Sequence, residues 1–293
     1  MEEYILPERK AFNAWFNQEF YKRLVQSRSG KDHLKKVYQE LLREYINTDT
    51  PFRGALVFHG LGTGKTATAI TAVEGAGSDW EIITILPASL ESNFKEEIKR
   101  FGDMMFRIYK NDKTKWKLIK WDKLDEETQQ LYAENYSIDS RYLKNLHKKV
   151  FEHKDSKKSA FIFIEDKGGT LYDKLPSEKK KLYLNEQITR MIEAKYHFMG
   201  YSPFRDFTKI DGKYKGIIPS DKLYHSLVRD AASFGTPFNK KVIIIDEVHG
   251  FISNIVNKLS SKEEQKGAMM VYNWIMAAES CKLVCLSATP IVN

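Results

Sequence analysis

Cysteine is nearly missing from these 293 residues; only Cys281 and Cys285 are present. Two thiols four apart in a strand-like run cannot build a disulfide framework. They also lack the further ligands that a metal site needs, so a reducing compartment is expected. Long apolar runs are missing too. Nothing approaches the roughly 18 residues of a membrane-spanning helix, and the first ten residues, MEEYILPERK, are too charged for a signal peptide. No internal repeat is visible. Disulfide scaffolds, secreted proteins and membrane proteins therefore drop out as readings. What is plentiful is basic charge, a net +8. That suits a polyanionic partner such as nucleic acid, and it equally suits plain solubility. Hydrophobic residues at 42% and aromatic residues at 13% suffice for a core, and the length allows one large domain or two small ones.

Residues 54–70 read GALVFHGLGTGKTATAI, and the rest of the chain is organised around them. The apolar run 55–58 predicts a buried parallel strand. Gly60, Leu61, Gly62, Thr63 and Gly64 then form a loop that no regular element would tolerate. Lys65 and Thr66 open an Ala- and Thr-rich run that reads as a helix. Strand, glycine loop, Lys-Thr and helix are the architecture of a phosphate-binding loop. Glycines let the backbone approach a ligand, and the loop N–H groups point with the helix N-terminus at an anion. Lys65 is the candidate for the β- and γ-phosphates of ATP, and the Thr66 hydroxyl for Mg²⁺. The motif's first glycine is missing, since His59 stands there.

Around this unit the pattern alternates. Residues 5–26 carry Phe12, Trp15, Phe16, Phe20 and Leu24 at helical spacing, and 33–45 predicts a second amphipathic helix that ends in the turn residues 47–51. Strands are expected at 81–86, 160–164, 241–246 and 282–286, and helices at 88–101, 177–193, 221–232 and 265–278. Alternation of this kind implies an α/β fold, with a mainly parallel sheet covered by helices on both faces. Residues from 102 to about 158 are Lys-rich and read as irregular. Trp116 and Trp121 among those lysines could stack bases; half-buried residues of a helical insert are the plainer reading.

A nucleotide site needs a second carboxylate centre. The most hydrophobic strand in the chain, KVIII at 241–245, runs straight into Asp246 and Glu247, which places both at the C-terminal edge of a sheet beside the phosphate loop. Asp246 would hold Mg²⁺, and Glu247 would orient or deprotonate the attacking water. A decoy exists, because 161–164 runs into Glu165 and Asp166 with the acids in reverse order. The later strand is preferred: Asp comes first there, and His249 follows Glu247 by two.

Asp246-Glu247-Val248-His249 is a DExH box. With Gly62-Thr63-Gly64-Lys65-Thr66 before it and Ser287-Ala288-Thr289-Pro290 after it, the chain resembles the superfamily 2 helicases and translocases. The runs VYN at 271–273, KLVCLSATPIVN at 282–293, and IDEVH at 245–249 with FIS at 251–253 are similar to the nucleoside triphosphatase I family of poxviruses and to its Snf2-like relatives in other large DNA viruses. The related small subunit of the viral early transcription factor shares the His-for-Gly loop style. The resemblance covers roughly residues 36–293, weakly across 102–190. It implies a RecA-like ATP-binding lobe over 51–293, with a Lys-rich helical insert at about 102–194 and an N-terminal helical segment at 1–50. It further implies a DNA-dependent ATPase that uses ATP and Mg²⁺, works on DNA in preference to RNA, partners the viral RNA polymerase, and is located in host cytoplasm or virion. By position, Gln39 would read the adenine edge. Ser89 and Asn93 would grip a nucleic-acid backbone, as would Tyr201 and Ser202. His249, Ser287 and Thr289 would couple nucleotide state to that grip. Tyr38 and Gly250 depart from the family pattern, which has His and Asn there.

Members of that superfamily hydrolyse ATP between two RecA-like lobes, the second supplying arginine fingers. This sequence stops four residues after Thr289. The expectation is therefore a half-motor whose second lobe lies in a longer chain or in a partner chain. The alternative is a non-hydrolysing binding module with the same fold.

Overall fold

The computed structural model describes residues 4–22, 34–58, 60, 64–75, 80–108, 116–151, 160–165, 178–203, 208–210, 213–215, 222–256 and 267–289. The expected loop residues Leu61, Gly62 and Thr63 lie outside that set, as do His59, Asp166 and Pro290. The chain divides into two compact units, one comprising Met1–Glu91 and His197–Asn293, the other Ser92–Tyr196.

The first unit is built on a five-stranded sheet. In chain order its strands are β1 (Gly54–Phe58), β2 (Glu81–Ile85), β5 (Tyr196–Met199), β8 (Lys241–Ile245) and β9 (Cys281–Ser287). In space they run β1-β9-β8-β2-β5, with the β1–β9, β9–β8 and β8–β2 pairs all parallel. Parallel neighbours so distant in sequence require crossovers, and helices supply them. These are α3 (Lys65–Glu74) after β1, α8 (Lys222–Phe234) before β8, and α9 (Val248–Val256) with α10 (Ala268–Ala277) between β8 and β9. The result is an α/β fold with a mainly parallel central sheet flanked by helices, consistent with a RecA-like lobe. On one face Ile83, Ile85, Ile243 and Ile245 pack against Phe251, Val271 and Trp274. The β-branched side chains that favour these strands also fill the space under the helices.

The N-terminal elements belong to this unit. α1 (Phe12–Trp15) continues as a π-turn over Phe16–Tyr21, and α2 (Leu34–Tyr45) follows. Residues 5–11 are not helical, contrary to the sequence pattern; helix begins only where Phe12 and Trp15 can reach Phe52. Phe52 is buried and stacked on Tyr45 at 4.3 Å, fastening this segment to the start of β1. β1 itself differs from the buried strand expected. It lies at the edge of the five-stranded sheet, and Leu56 and Phe58 are 55% and 60% exposed while Val57 is buried.

In the second unit β3 (Trp116–Lys120) pairs antiparallel with β4 (Phe161–Glu165). They accompany α4 (Glu91–Phe101), α5 (Glu126–Tyr136), α6 (Ser140–Phe151) and α7 (Glu178–Lys195). The Lys-rich stretch is thus regular where the sequence suggested irregularity. Asp125 caps α5 by accepting from the Thr128 N–H at 2.7 Å. Buried Gln187 exchanges two hydrogen bonds with the Phe163 backbone, at 2.9 and 2.8 Å. Trp116 and Trp121 are buried, 4% and 9% exposed, so neither offers a face for stacking bases. The short strands β6 (Thr208–Ile210) and β7 (Lys213–Lys215) form a separate ribbon in the first unit.

Candidate active site

Register brings the chemistry-bearing residues together. Phe58 pairs with Ser287, and Ile245 with Cys285, so β1, β9 and β8 all end at one sheet edge. There Gly64 takes φ 85° and caps α3. A left-handed residue at that point favours glycine, because a Cβ would crowd the following carbonyl. The Gly64 carbonyl accepts from the Thr68 N–H at 2.9 Å, and helix begins at Lys65. The Lys65 ammonium lies 2.5 Å from Glu247 Oε1 and 3.6 Å from Asp246 Oδ1. Thr66 is half-buried in the same first turn, and Gly60 is exposed.

Asp246 is buried, and its carboxyl titrates above the usual carboxylate range. Burial is the main cause and the adjacent Glu247 charge adds to it; Lys65 and the Glu247 N–H pull the other way. The Asp246 N–H donates to the Ile85 carbonyl at 2.9 Å, continuing the β8–β2 ladder one residue past the strand. The backbone then reverses. Glu247 takes φ 47°, a left-handed conformation that costs a non-glycine residue about 1–2 kcal/mol. Two nearby interactions hold it there. Its N–H donates to Asp246 Oδ1 at 3.0 Å, and its carbonyl accepts from the Gly250 N–H at 2.8 Å.

α9 starts immediately afterwards and presents His249. His249 Nδ1 is 3.0 Å from Ser287 Oγ and 3.4 Å from Glu247 Oε2. Ser287 Oγ in turn accepts from the Thr289 N–H at 3.1 Å. The expected coupling group of His249, Ser287 and Thr289 is therefore one connected cluster, and it touches the Glu247 carboxylate.

Of the remaining expected residues, Tyr201 reaches this cluster through backbone. Ser89 is exposed in the 3₁₀ turn that precedes α4, Asn93 is exposed on α4, and Gln39 is half-buried on α2. Ser202 Oγ is buried and has no hydrogen-bond partner among the described residues. Tyr201 faces inward, its hydroxyl donating to the Asp246 carbonyl at 2.6 Å and the Glu247 carbonyl at 2.9 Å. Sequence reasoning missed that role; the only signal was an aromatic directly after a strand. Of the decoy pair, Glu165 ends β4, which belongs to the two-stranded sheet and not the central one. Arg53 bonds the Ile275 and Met276 carbonyls at the opposite end of β1, and Arg229 pairs with Asp230 on α8.

The arrangement can bind an anion at Lys65 and move a proton at Glu247. It fits Mg²⁺ as well: the Thr66 hydroxyl and Asp246 carboxylate are hard oxygen donors, and two carboxylates face a single ammonium. Among the described residues no three His, Cys, Asp or Glu side chains form a metal cluster. Nor is any described helix long and apolar enough to cross a membrane.

No known family profile matches the chain. A putative ATP-dependent RNA helicase of Acanthamoeba polyphaga mimivirus is 42% identical over 64 residues, which are 22% of this chain and 11% of that protein. Nucleoside triphosphatase I of Melanoplus sanguinipes entomopoxvirus is 40% identical over 75 residues, 25% of this chain and 11% of the relative. A second putative ATP-dependent RNA helicase of the same mimivirus is 23% identical over 263 residues, 87% of this chain and 21% of that protein. The chain spans 11% to 21% of the length of these relatives. It is thus similar to helicase-like nucleoside triphosphatases of large DNA viruses.

Proposed function

We propose that this chain is the ATP-binding lobe of a DExH-type, Snf2-like superfamily 2 ATPase, which couples Mg-ATP hydrolysis to sequence-independent nucleic-acid binding during viral transcription. The observation that supports this best is the convergence of Lys65 on Asp246 and Glu247, with His249 bridging Glu247 to Ser287. Lys65 serves the β- and γ-phosphates by exchanging Glu247 for phosphate oxygens. That exchange releases the Glu247 carboxylate, which accepts a proton from the water attacking the γ-phosphorus as the bond to the β-phosphate oxygen breaks. Thr66 and Asp246 would hold Mg²⁺, which would supply neutralisation of phosphate charge. Donors facing the γ-phosphate from its far side would come from a second RecA-like lobe, in a longer chain or a partner, as the family resemblance implies. Viral RNA polymerase is the partner that the family resemblance suggests, in host cytoplasm or virion.

The nucleic acid is DNA in preference to RNA on the strength of the Snf2-like motifs. Two of the relatives carry RNA helicase in their names, so duplex DNA and RNA are to be compared directly. The deciding experiment for the nucleotide site is isothermal titration of Mg-ATP into the wild type and Lys65→Ala, with circular dichroism as the folding control. The substitution should abolish binding and leave the fold intact, because Lys65 points at the site and not into the core. Equal affinity in the two proteins would sink the assignment.

A further inference from the structure

We propose that Tyr201 is the positioning residue for Glu247. Its hydroxyl clamps the two peptide carbonyls on either side of the Glu247 Cα, which holds that residue in its left-handed turn and aims its carboxylate. The inference rests on the reading of Glu247 as the proton acceptor in hydrolysis.

The geometry carries it. One phenolic proton is shared between the Asp246 carbonyl at 2.6 Å and the Glu247 carbonyl at 2.9 Å. Those carbonyls belong to the two peptides whose rotation sets φ and ψ at Glu247, and φ there is 47°. A non-glycine residue keeps such a conformation only when its surroundings over-determine it. The Gly250 N–H also donates to the Glu247 carbonyl, at 2.8 Å, so that oxygen is fixed from two directions. The Tyr201 ring is itself fixed: it packs at 5.8 Å from the ring of buried Phe251 and against the core of the sheet. An ordinary phenol keeps its proton at neutral pH, so the hydroxyl is available there as a donor.

Gly250 completes the arrangement. A Cβ there would lie 3.2 Å from Tyr201 Cε2, tighter than ordinary contact, and 3.5 Å from the hydroxyl oxygen, an ordinary contact. The absence of a side chain at 250 leaves the room in which the ring lies. The departure from the family pattern at that position thus acquires a physical reason in this chain.

The test is a double-mutant cycle, using the longest chain that turns over, with hydrogen exchange as a second readout. Tyr201→Phe keeps the ring and removes the clamp. It should lower kcat by roughly 10- to 100-fold, the order expected for a misplaced catalytic group, while ATP affinity stays within about twofold of wild type. In a Glu247→Gln background the same substitution should be silent, because a residue acting only through Glu247 has nothing left to position. Gly250→Ala retains the hydroxyl but displaces the ring, and should also lower kcat without weakening ATP. Amide exchange at Gly250 should quicken in Tyr201→Phe. An unchanged kcat, an additive loss in the Glu247→Gln background, or unchanged exchange at Gly250 would each overturn the proposal. A wild type that binds no ATP would instead refute the proposed function, and the exchange measurement would still decide whether Tyr201 holds the turn.

Discussion

Replacing Glu247 by glutamine should tighten ATP binding while it stops turnover, and the sizes of both effects follow from one ion pair. Lys65 Nζ is 2.5 Å from Glu247 Oε1, with the two side chains 13% and 26% exposed. Such a pair falls between an exposed one, worth about 0.2–1 kcal/mol, and a buried one, whose disruption costs about 3–5 kcal/mol. We take ~1–2 kcal/mol. Phosphate oxygens must displace Glu247 from Lys65, so this energy opposes binding in the wild type. The glutamine side chain has the same shape without the charge, and Asp246 at 3.6 Å keeps Lys65 from being stranded. The affinity gain is then roughly 5- to 30-fold, at 1.4 kcal/mol per factor of ten. Turnover should fall by about 10²–10⁴, the usual contribution of a general base, or about 3–5 kcal/mol of barrier. A fluorescent nucleotide titration gives the first quantity and phosphate release at saturating ATP gives the second. Glu165→Gln serves as the control and should change neither. Weaker binding in Glu247→Gln would show that the ion pair does not compete with phosphate; retained turnover, or loss in Glu165→Gln instead, would show that the carboxylate was misassigned.

Lys282 offers a prediction about stability. Its buried ammonium donates to the Thr50 and Phe52 carbonyls, both at 2.8 Å, and burial lowers its pKa to about 8, against a smaller upward pull from Asp49. Lys282→Met leaves those carbonyls unpaired but also removes a desolvated charge, so a net loss of about 1–3 kcal/mol is expected near pH 7 in urea denaturation. Because the folded pKa lies below the unfolded one, the unfolded chain binds more protons above about pH 8. Wild-type stability relative to Lys282→Met should therefore rise from about pH 8 to 10; a difference that stays flat would mean the ammonium is not desolvated as its burial implies. Nucleic-acid binding should be indifferent to sequence and fall roughly 10- to 100-fold between about 50 and 200 mM salt, as expected for two to four phosphate contacts. Fluorescence anisotropy on unrelated duplexes checks this, and a salt-insensitive or sequence-selective interaction would count against a backbone-tracking lobe.

The parts of the site legible in the sequence were those in which local chemistry and position coincide. A glycine loop before Lys-Thr permits few alternatives, and an apolar strand running into Asp-Glu delivers those acids to a sheet edge. The choice between Asp246/Glu247 and Glu165/Asp166 was made on residue order and on His249. The structure adds that β4 and β8 belong to different sheets. Edge and centre were not legible. The run ALVF reads as a buried strand wherever it lies, and only the sheet order shows that one side of β1 has no strand partner among the described residues. The regularity of the Lys-rich stretch was hidden because charge masks helical periodicity, while its buried groups, such as Trp116 and Gln187, bond to distant backbone. The bonding of Tyr201 beside Glu247, a residue expected instead at a nucleic-acid backbone, was invisible for a related reason: its partners are two carbonyls 45 and 46 residues away, and backbone acceptors have no sequence signature.

The site depends on register set at the other end of β9. Ser287 reaches His249 only because residues 281, 283, 285 and 287 share one face of that strand, and a slip of one residue would turn Ser287 to the opposite face. The lock lies near the start of the strand. Leu283 N–H donates to the Arg53 carbonyl at 2.9 Å, and Lys282 reaches across to Thr50 and Phe52. Gly54 closes the fit, since a Cβ there would meet the Leu283 carbonyl oxygen at 2.7 Å, a backbone atom that cannot give way without shifting the strand. Four to five residues at about 3.3 Å each then carry this alignment roughly 15 Å to Ser287. A buried lysine, an arginine carbonyl and a glycine near the start of the strand thus determine whether Ser287, His249 and Glu247 meet. Sequence motifs mark where the chemistry is, and the lock that aligns them is written in residues that carry none.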